Sequence, residues 1–321
     1  MDIFWQFLIL AFGFLLLIKG ADFLVDGSSG IARKLRISEA IIGMTIVAFG
    51  TSAPEFSVAM QAFAAGSTDL TLGDVIGCAI SNILLLLGIA AVIRPIKIGK
   101  DAANKEIPFY LLIIGSFVAV ILFAFFRGES VGRIGGAILV SLFLIFFYMV
   151  LRTAKKKRKT KAEAAKSKKA ERKIWISILI TLGGLIGVII GSNLVVNSAT
   201  EIAIDFGVSE RIIAMTIVAL GTSLPELMTT IIAAKKNEQE LLLGDAIGSN
   251  IFNICFALGL PTLIYGNLDV SNFKMFDLIA IVVAAIMLFV TTRKNHIITR
   301  FEGIVMLALF VVYYTVMLVW T

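Results

Sequence analysis

Apolar runs about 20 residues long, parted by short polar stretches, recur along the whole chain. A helix of that length crosses the ~30 Å hydrocarbon layer of a bilayer, so each run predicts a membrane helix. The first covers about Ile3 to Val25, with Lys19, Asp22 and Asp26 marking its far end. Only Asp2 precedes it and no basic n-region exists, so it reads as a retained helix, not a cleaved signal peptide. A basic loop, Arg33-Lys34-Leu35-Arg36, follows. Ser38 and Glu39 look like an N-cap and first-turn acid for the second helix, and Ser209 and Glu210 repeat that pair. The second helix runs to about Ala65 and is broken near Gly50–Pro54; the third runs from about Leu70 to Ile93. Loop Arg94 to Glu106 leads to helices at about Ile107–Phe126 and Val131–Leu151. The later runs predict helices at about Ile174–Asn197, Ser209–Lys235 (broken at Gly221–Pro225), Leu241–Ile264, Phe273–Thr292 and Ile298–Trp320.

The two halves are copies. AIIGMTIVAFGTSAPE and LGDVIGCAISN, within Ser38 to Gly88, return as RIIAMTIVALGTSLPE and LGDAIGSNIFN, within Ser209 to Gly259. Glu226 stands 171 positions after Glu55 (226 − 55), as Asp245 does after Asp74 and Asn253 after Asn82. Roughly half the aligned positions are identical and no gap is needed, which marks an internal duplication. The chain therefore divides into a first five-helix repeat over 1–151, a basic linker over 152–173, and a second repeat over 174–321. Gly183, Gly187 and Gly191 form a small-residue ridge for close helix packing.

Composition agrees with the pattern. Apolar residues make up 59% and charged ones 16%, with a mean hydropathy of +0.97; soluble chains average about 45–50% and 25%. Long runs without β-barrel alternation give an all-α membrane protein. The net charge of +7 sits in short loops and reads as a topology signal, with no nucleic-acid partner implied. Cys78 and Cys255 lie in apolar segments and imply neither a disulfide framework nor a zinc site, while His296 reads as a solvated loop residue. The linker and alternate loops hold most of the Lys and Arg, including Lys235, Lys236, Arg293, Lys294 and Arg300. The other side has Arg127, Arg133, Arg211 and Lys274. The positive-inside rule puts the linker in the cytoplasm and both termini outside the cell membrane. Five helices per half is odd, so the second copy enters the membrane in the opposite sense: ten helices in two inverted-topology repeats, the second and seventh broken. Nothing in the sequence requires an oligomer.

Ionisable groups inside apolar segments are costly and signal function. At 3.6 residues per turn Ala48, Thr51, Ser52 and Glu55 share one helix face, and Ala219, Thr222, Ser223 and Glu226 repeat it. Pro54 and Pro225 each remove a backbone donor and free carbonyls near Gly50 and Gly221, for which a bound cation is a suitable partner. Asp74, Cys78 and Asn82 are spaced i, i+4, i+8, and Asp245, Ser249 and Asn253 match them. Carboxylate, hydroxyl, amide and carbonyl oxygens are hard donors suited to Ca²⁺ or Na⁺. One Pro-kinked helix with back-bonded hydroxyls is ordinary structure; two copies, each with a buried Glu, are not. Asp74 and Asp245 also suit first-turn acids or caps, and Cys78 a small packing residue.

Gly-Thr-Ser-X-Pro-Glu after an apolar run, then Gly-X-X-X-X-X-Asn, twice in inverted halves, resembles the α-repeats of the cation/Ca²⁺ exchanger superfamily, especially prokaryotic Na⁺/Ca²⁺ exchangers. The resemblance implies an antiporter with central cation sites and no cofactor; Ca²⁺ and Na⁺ are its cargo, exchanged at three Na⁺ per Ca²⁺. It implies Glu55 and Glu226 as acidic ligands, and oxygens from Thr51, Ser52, Thr222 and Ser223. It further implies carbonyls of Ala48 and Ala219, with Ser249, Asn82 and Asn253 completing the ring. Cys78 departs from the Ser often found there, and Asn253 stands where some relatives, including the K⁺-dependent branch, carry Asp, so the resemblance does not extend to K⁺ dependence. An H⁺/Ca²⁺ antiporter is the alternative, and its relatives typically show Gly-Asn-X-X-Glu instead. A cation channel usually needs a pore ring from several subunits. An intramembrane aspartyl protease would resemble Gly-X-Gly-Asp, but Thr71 and Leu242 stand where the first Gly belongs, so no enzyme is expected.

Overall fold

The structure, a computed structural model, describes residues 3–66, 68–164, 173–208, 217, 221–271 and 274–320. Its helices are α1 (Ile3–Leu35), α2 (Glu39–Thr51), α3 (Ala53–Ala65), α4 (residues 68–93), α5 (Ala102–Arg127) and α6 (Arg133–Ala164). They continue with α7 (Ile174–Asp205), α8 (Leu224–Lys236), α9 (Gln239–Tyr265), α10 (Met275–Asn295) and α11 (Arg300–Trp320). Among the described residues eight helices are long and apolar enough to cross a membrane, and the bent pair α2–α3 passes the same test when taken together, for up to nine. The expected seventh span is seen as α8; most of its first half, with Ser209, Glu210 and Ala219, lies outside the described residues.

Several boundaries differ from the pattern's expectation. α1 continues ten residues beyond Val25, and α7 eight beyond Asn197, because their polar turns find partners. Lys236 Nζ lies 2.7 Å from Asp22 Oδ1 and 2.6 Å from Asp26 Oδ1, so both acids sit inside α1, not past its end. α6 likewise runs on into the basic linker as far as Ala164. α5 begins at Ala102, inside the expected loop, with an ion pair between Lys105 and Asp101 on its first turn. Ser38 occupies the N-cap position with extended backbone, but its hydroxyl makes no capping bond. His296 is half-buried in a left-handed turn (φ 55°), and its carbonyl accepts from Ile98 N at 2.8 Å, so it is not a freely solvated residue.

In lipid, helices associate through close packing, since the tails are as apolar as leucine. α1 and α7 form the most extensive helix pair, and glycines bring their backbones together. A Cβ on Gly20 would sit 2.6 Å from Val188 N, and one on Gly191 2.5 Å from Leu17 N. The ridge is Gly184, Gly187 and Gly191; Gly183, expected on it, has open space where its side chain would be. α9 lies against α2 the same way, Gly248 meeting Met44 and Gly244 meeting Ala40. Phe49, Phe56, Phe143, Phe252 and Phe256 fill the space between α2, α3, α6 and α9 with rings about 5–6.4 Å apart. Phe4, Trp5, Phe12 and Leu15 face outward on α1, as a lipid-facing stripe does.

The connections pair across the two halves. Strand β1 (Ile96–Lys97), after α4, pairs antiparallel with β2 (Ile297–Ile298), between α10 and α11. At the other end of α5, Val131 bridges Leu268, so the α5–α6 connection meets the α9–α10 connection. α6 ends and α7 begins at the end carrying β1–β2, here the linker end; α1 begins at the opposite end.

Candidate cation site

Both breaks have the same backbone geometry. α2 and α3 meet at 47° around Ser52, which has φ −88° and ψ 7°. Ser223, before α8, has φ −85° and ψ 2°. These angles lie in the sparsely allowed bridge region, a frequent setting for active-site residues. Each break places proline in the first turn of the next helix, where its missing N–H does least harm. The ladder resumes with Phe56 N to Ser52 O at 3.2 Å and Leu227 N to Ser223 O at 2.9 Å. The missing donor of Pro225 concerns the carbonyl of Gly221, four residues earlier. That carbonyl accepts from Ser192 Oγ of α7 at 3.1 Å, so a protein hydroxyl already meets the need assigned to a cation. Ala21 of α1, at the equivalent place 171 positions earlier (192 − 21), has no hydroxyl to offer Gly50.

The breaks bring the copies into contact. Ala48, Thr51, Ser52, Glu55, Ser223 and Glu226 are buried, and Thr222 is half-buried. Ser52 Oγ donates to Glu226 Oε1 at 3.1 Å, joining the first break to the second copy's glutamate. Cys78 Sγ lies 3.6 Å from Ser223 Oγ, joining the second break to α4. Glu55 and Glu226 each stand in the first turn of the helix that follows a break. Thr51 Oγ1 donates back to Val47 O at 3.1 Å, the ordinary helix bond, which leaves its lone pairs for another partner.

Asp74 and Asp245 are each the seventh residue of their helix, two turns in, so neither is a first-turn acid or cap. Asp74 is half-buried and takes a long contact of 3.8 Å from Cys78 Sγ. Asp245 is 1% exposed and accepts from Ser249 Oγ at 3.4 Å. Beyond these turns both helices widen into π-helix, at Ser81–Leu86 and at Phe252–Leu258. Asn82 and Asn253 are the second residues of those segments. Wide turns of this kind cluster at functional sites, and no residue pattern announced them.

Four buried oxygens, Glu55 Oε2, Glu226 Oε2, Asn82 Oδ1 and Asn253 Oδ1, have no hydrogen-bond partner. Taking two carboxylates out of water costs several kcal/mol each unless opposite charge or donors compensate. Among the described residues no group of three or more His, Cys, Asp or Glu side chains is set to hold a metal ion. The breaks bring the hydroxyls of Ser52 and Ser223 to the carboxylate of Glu226 and to α4, while the segments that carry Asn82 and Asn253 pack against α8 and α3; carboxylate, hydroxyl and amide oxygens are donors matched to Na⁺ or Ca²⁺. Sequence reasoning overlooked two polar residues that touch these elements, Ser192 and Asn250, because neither belongs to the duplicated motif face.

A family model described as sodium/calcium exchanger protein matches residues 5–152 and 176–319. The putative antiporter CaxA of Alkalimonas amylolytica is 35% identical over 307 residues, covering 94% of this chain and 95% of its own. The sodium/calcium exchanger MaX1 of Methanosarcina acetivorans is 30% identical, covering 97% and 98%. The solved structure of the sodium-calcium exchanger NCX_Mj, soaked with Na⁺ and Sr²⁺, superposes with a TM-score of 0.82 at 32% identity, covering 97% of this chain and 98% of that one.

Proposed function

The chain belongs to the sodium/calcium exchanger protein family, and we propose that it exchanges Na⁺ for Ca²⁺ across the cell membrane by alternating access. The observation that carries this reading is that Ser52 of the first break bonds Glu226 beyond the second, while Glu55 and Glu226 each keep a buried, unpartnered carboxylate oxygen. In this reading Glu55 and Glu226 supply the negative charge. Thr51, Ser52, Thr222, Ser223, Ser249, Asn82 and Asn253 supply neutral oxygens, and Ala48 and Ala219 supply carbonyls. Cys78 packs against Ser223, and its soft sulfur adds little to a hard-cation site. Asp74 and Asp245 stand one on each side of the centre, as passage carboxylates.

Alternating access rests on ten spans in two inverted repeats. The crossed pairing of connections at opposite ends supports that symmetry, each half lending one partner to each end. The two Asp residues differ in exposure, and Lys236 ties α8 to α1 at the linker end. Both features favour a state shut at the linker end and open towards the termini. With the linker cytoplasmic, that state faces outward.

The test is ⁴⁵Ca²⁺ uptake into Na⁺-loaded proteoliposomes at fixed pH. Uptake should be saturable and should collapse when the Na⁺ gradient is removed. Uptake that follows an imposed pH gradient and ignores Na⁺ would replace this reading with H⁺/Ca²⁺ antiport; non-saturable flux would point to a channel.

A further inference from the structure

We propose that Asn250 is a positioning residue that fixes which end of the Asn82 amide faces the transported ion. The proposal rests on the exchange reading above and extends it to a residue outside the ion-binding set.

The two ends of an amide side chain differ chemically: one offers an oxygen, the other two N–H donors. For a cation site the difference is decisive, since an amide turned by 180° presents its donors to a positive charge. Which end points where follows from the partners. Here the partners leave one solution. The carbonyl of Ala79 is a backbone acceptor and has no hydrogen to give. It lies 3.1 Å from one end of the Asn250 amide, so that end is Nδ2. Tyr110 Oη, 3.0 Å away, accepts the second N–H of the same nitrogen. Both donors of Asn250 are then used, and its Oδ1 faces Asn82. The Asn82 atom 2.9 Å from that oxygen is therefore Nδ2. Asn82 Oδ1 is left buried and without a partner, available to an ion.

The polarity thus starts at a peptide carbonyl and passes through two amides to the site. All three side chains are sealed from solvent, with Asn250 and Tyr110 fully buried and Asn82 2% exposed. Water has no ready access to compete for these bonds. The relay also explains an asymmetry between the copies. The position equivalent to Asn250 in the first copy is Ala79 (250 − 171), so the first copy contributes a carbonyl where the second contributes an amide. Asn253 Oδ1, the counterpart of Asn82 Oδ1, is equally unpartnered. The side of the site built on Asn82 is consequently preset for a cation by its surroundings.

Equilibrium ⁴⁵Ca²⁺ binding to the purified full chain in detergent tests the proposal without requiring transport. Asn250→Leu keeps the branched outline of the side chain and removes the acceptor for Asn82. It should weaken Ca²⁺ binding about tenfold, the scale of one good hydrogen bond. Tyr110→Phe leaves the Ala79 anchor in place and should weaken binding no more than about threefold. The decisive arm is a double-mutant cycle. In an Asn82→Ala background, adding Asn250→Leu should cost nothing further, because the amide it orients is gone. A purely structural Asn250 would weaken both backgrounds alike, and that result overturns the relay. If Asn250→Leu does not fold, Asn250→Ala takes its place in the same cycle. Unchanged Ca²⁺ binding by Asn250→Leu, or by Asn82→Ala, overturns the relay even where the wild type exchanges Na⁺ for Ca²⁺. Loss of Na⁺-driven uptake by the wild type itself overturns the exchange reading and leaves the binding cycle to be judged on its own.

Discussion

Glu226 accepts from Ser52 through one carboxylate oxygen and keeps the other bare; Glu55 also has a bare, buried oxygen. A carboxylate left so has its charge to spend on a cation. Gln keeps the shape and one acceptor but removes the charge. At an effective dielectric near 20, a unit charge 4 Å away is worth about 4 kcal/mol, and dehydration consumes part of that. Glu55→Gln and Glu226→Gln should each weaken Ca²⁺ binding at least about 100-fold, or ~2.7 kcal/mol. Titration with ⁴⁵Ca²⁺ checks this, and affinity within twofold of wild type would remove that residue from the site. Asn253 makes the opposite point. An amide gives an oxygen without another negative charge, so no further cation is called for, and exchange should run at full rate in K⁺-free vesicles. A strict K⁺ requirement would contradict the role given to Asn253. These motif residues were legible in the sequence because duplication repeated them and burying acid is costly. Asn250, Ser192 and Tyr110 were not. Their importance lies in partners brought together by folding, 29 residues away for Ser192 and Gly221 and 140 for Asn250 and Tyr110.

The long helices and the breaks at Gly-Thr-Ser-X-Pro were legible as elements, because hydrophobic run length and proline act locally. The true ends of α1 and α7 were not. A charged turn terminates a membrane helix unless another element receives the charge, and that element is distant in sequence. Lys236 supplies it for α1, lying between Asp22 and Asp26 at contact distances. The π-helical turns that hold Asn82 and Asn253 escaped for a related reason, since a widened turn needs no special residue. The Lys236 contact also makes a prediction about movement. The Lys236 side chain is 26% exposed, so the pair is worth about 1 kcal/mol. Lys236→Ala should then shift the balance between states closed and open at the linker end about fivefold towards the open one. Thr230, fully buried on α8, reports on it. In a Cys78→Ser/Cys255→Ser background, Thr230→Cys should be labelled about fivefold faster from the linker side when Lys236→Ala is added. Equal labelling rates would mean that Lys236 only anchors α1.

At the scale of the molecule, the crossed connections join the two halves at both ends, while the glycine-lined α1–α7 pair packs along its length as one body. The resemblance implies three Na⁺ per Ca²⁺ in the proposed exchange, and that ratio sets the charge moved per cycle. With Glu55 and Glu226 as the ionised groups at the centre, the site carries two negative charges. One Ca²⁺ balances them. Three Na⁺ exceed them by one positive charge, and the hydroxyl and amide oxygens around the carboxylates provide dipoles for the extra ion without adding charge. A cycle of three Na⁺ against one Ca²⁺ therefore carries one net charge across the membrane, worth ~2.3 kcal/mol per 100 mV. Inside-negative potential should drive Na⁺ entry coupled to Ca²⁺ exit, and inside-positive potential should oppose it. Vesicles clamped with K⁺ and valinomycin at several potentials give the measurement. The end-point ratio of Ca²⁺ across the membrane should shift about 50-fold per 100 mV, the Boltzmann factor for one charge. An end-point that ignores voltage would require two Na⁺ per Ca²⁺, or a proton carried with the third Na⁺ in the opposite sense, for which Asp74 and Asp245 are the nearest remaining acids on the path.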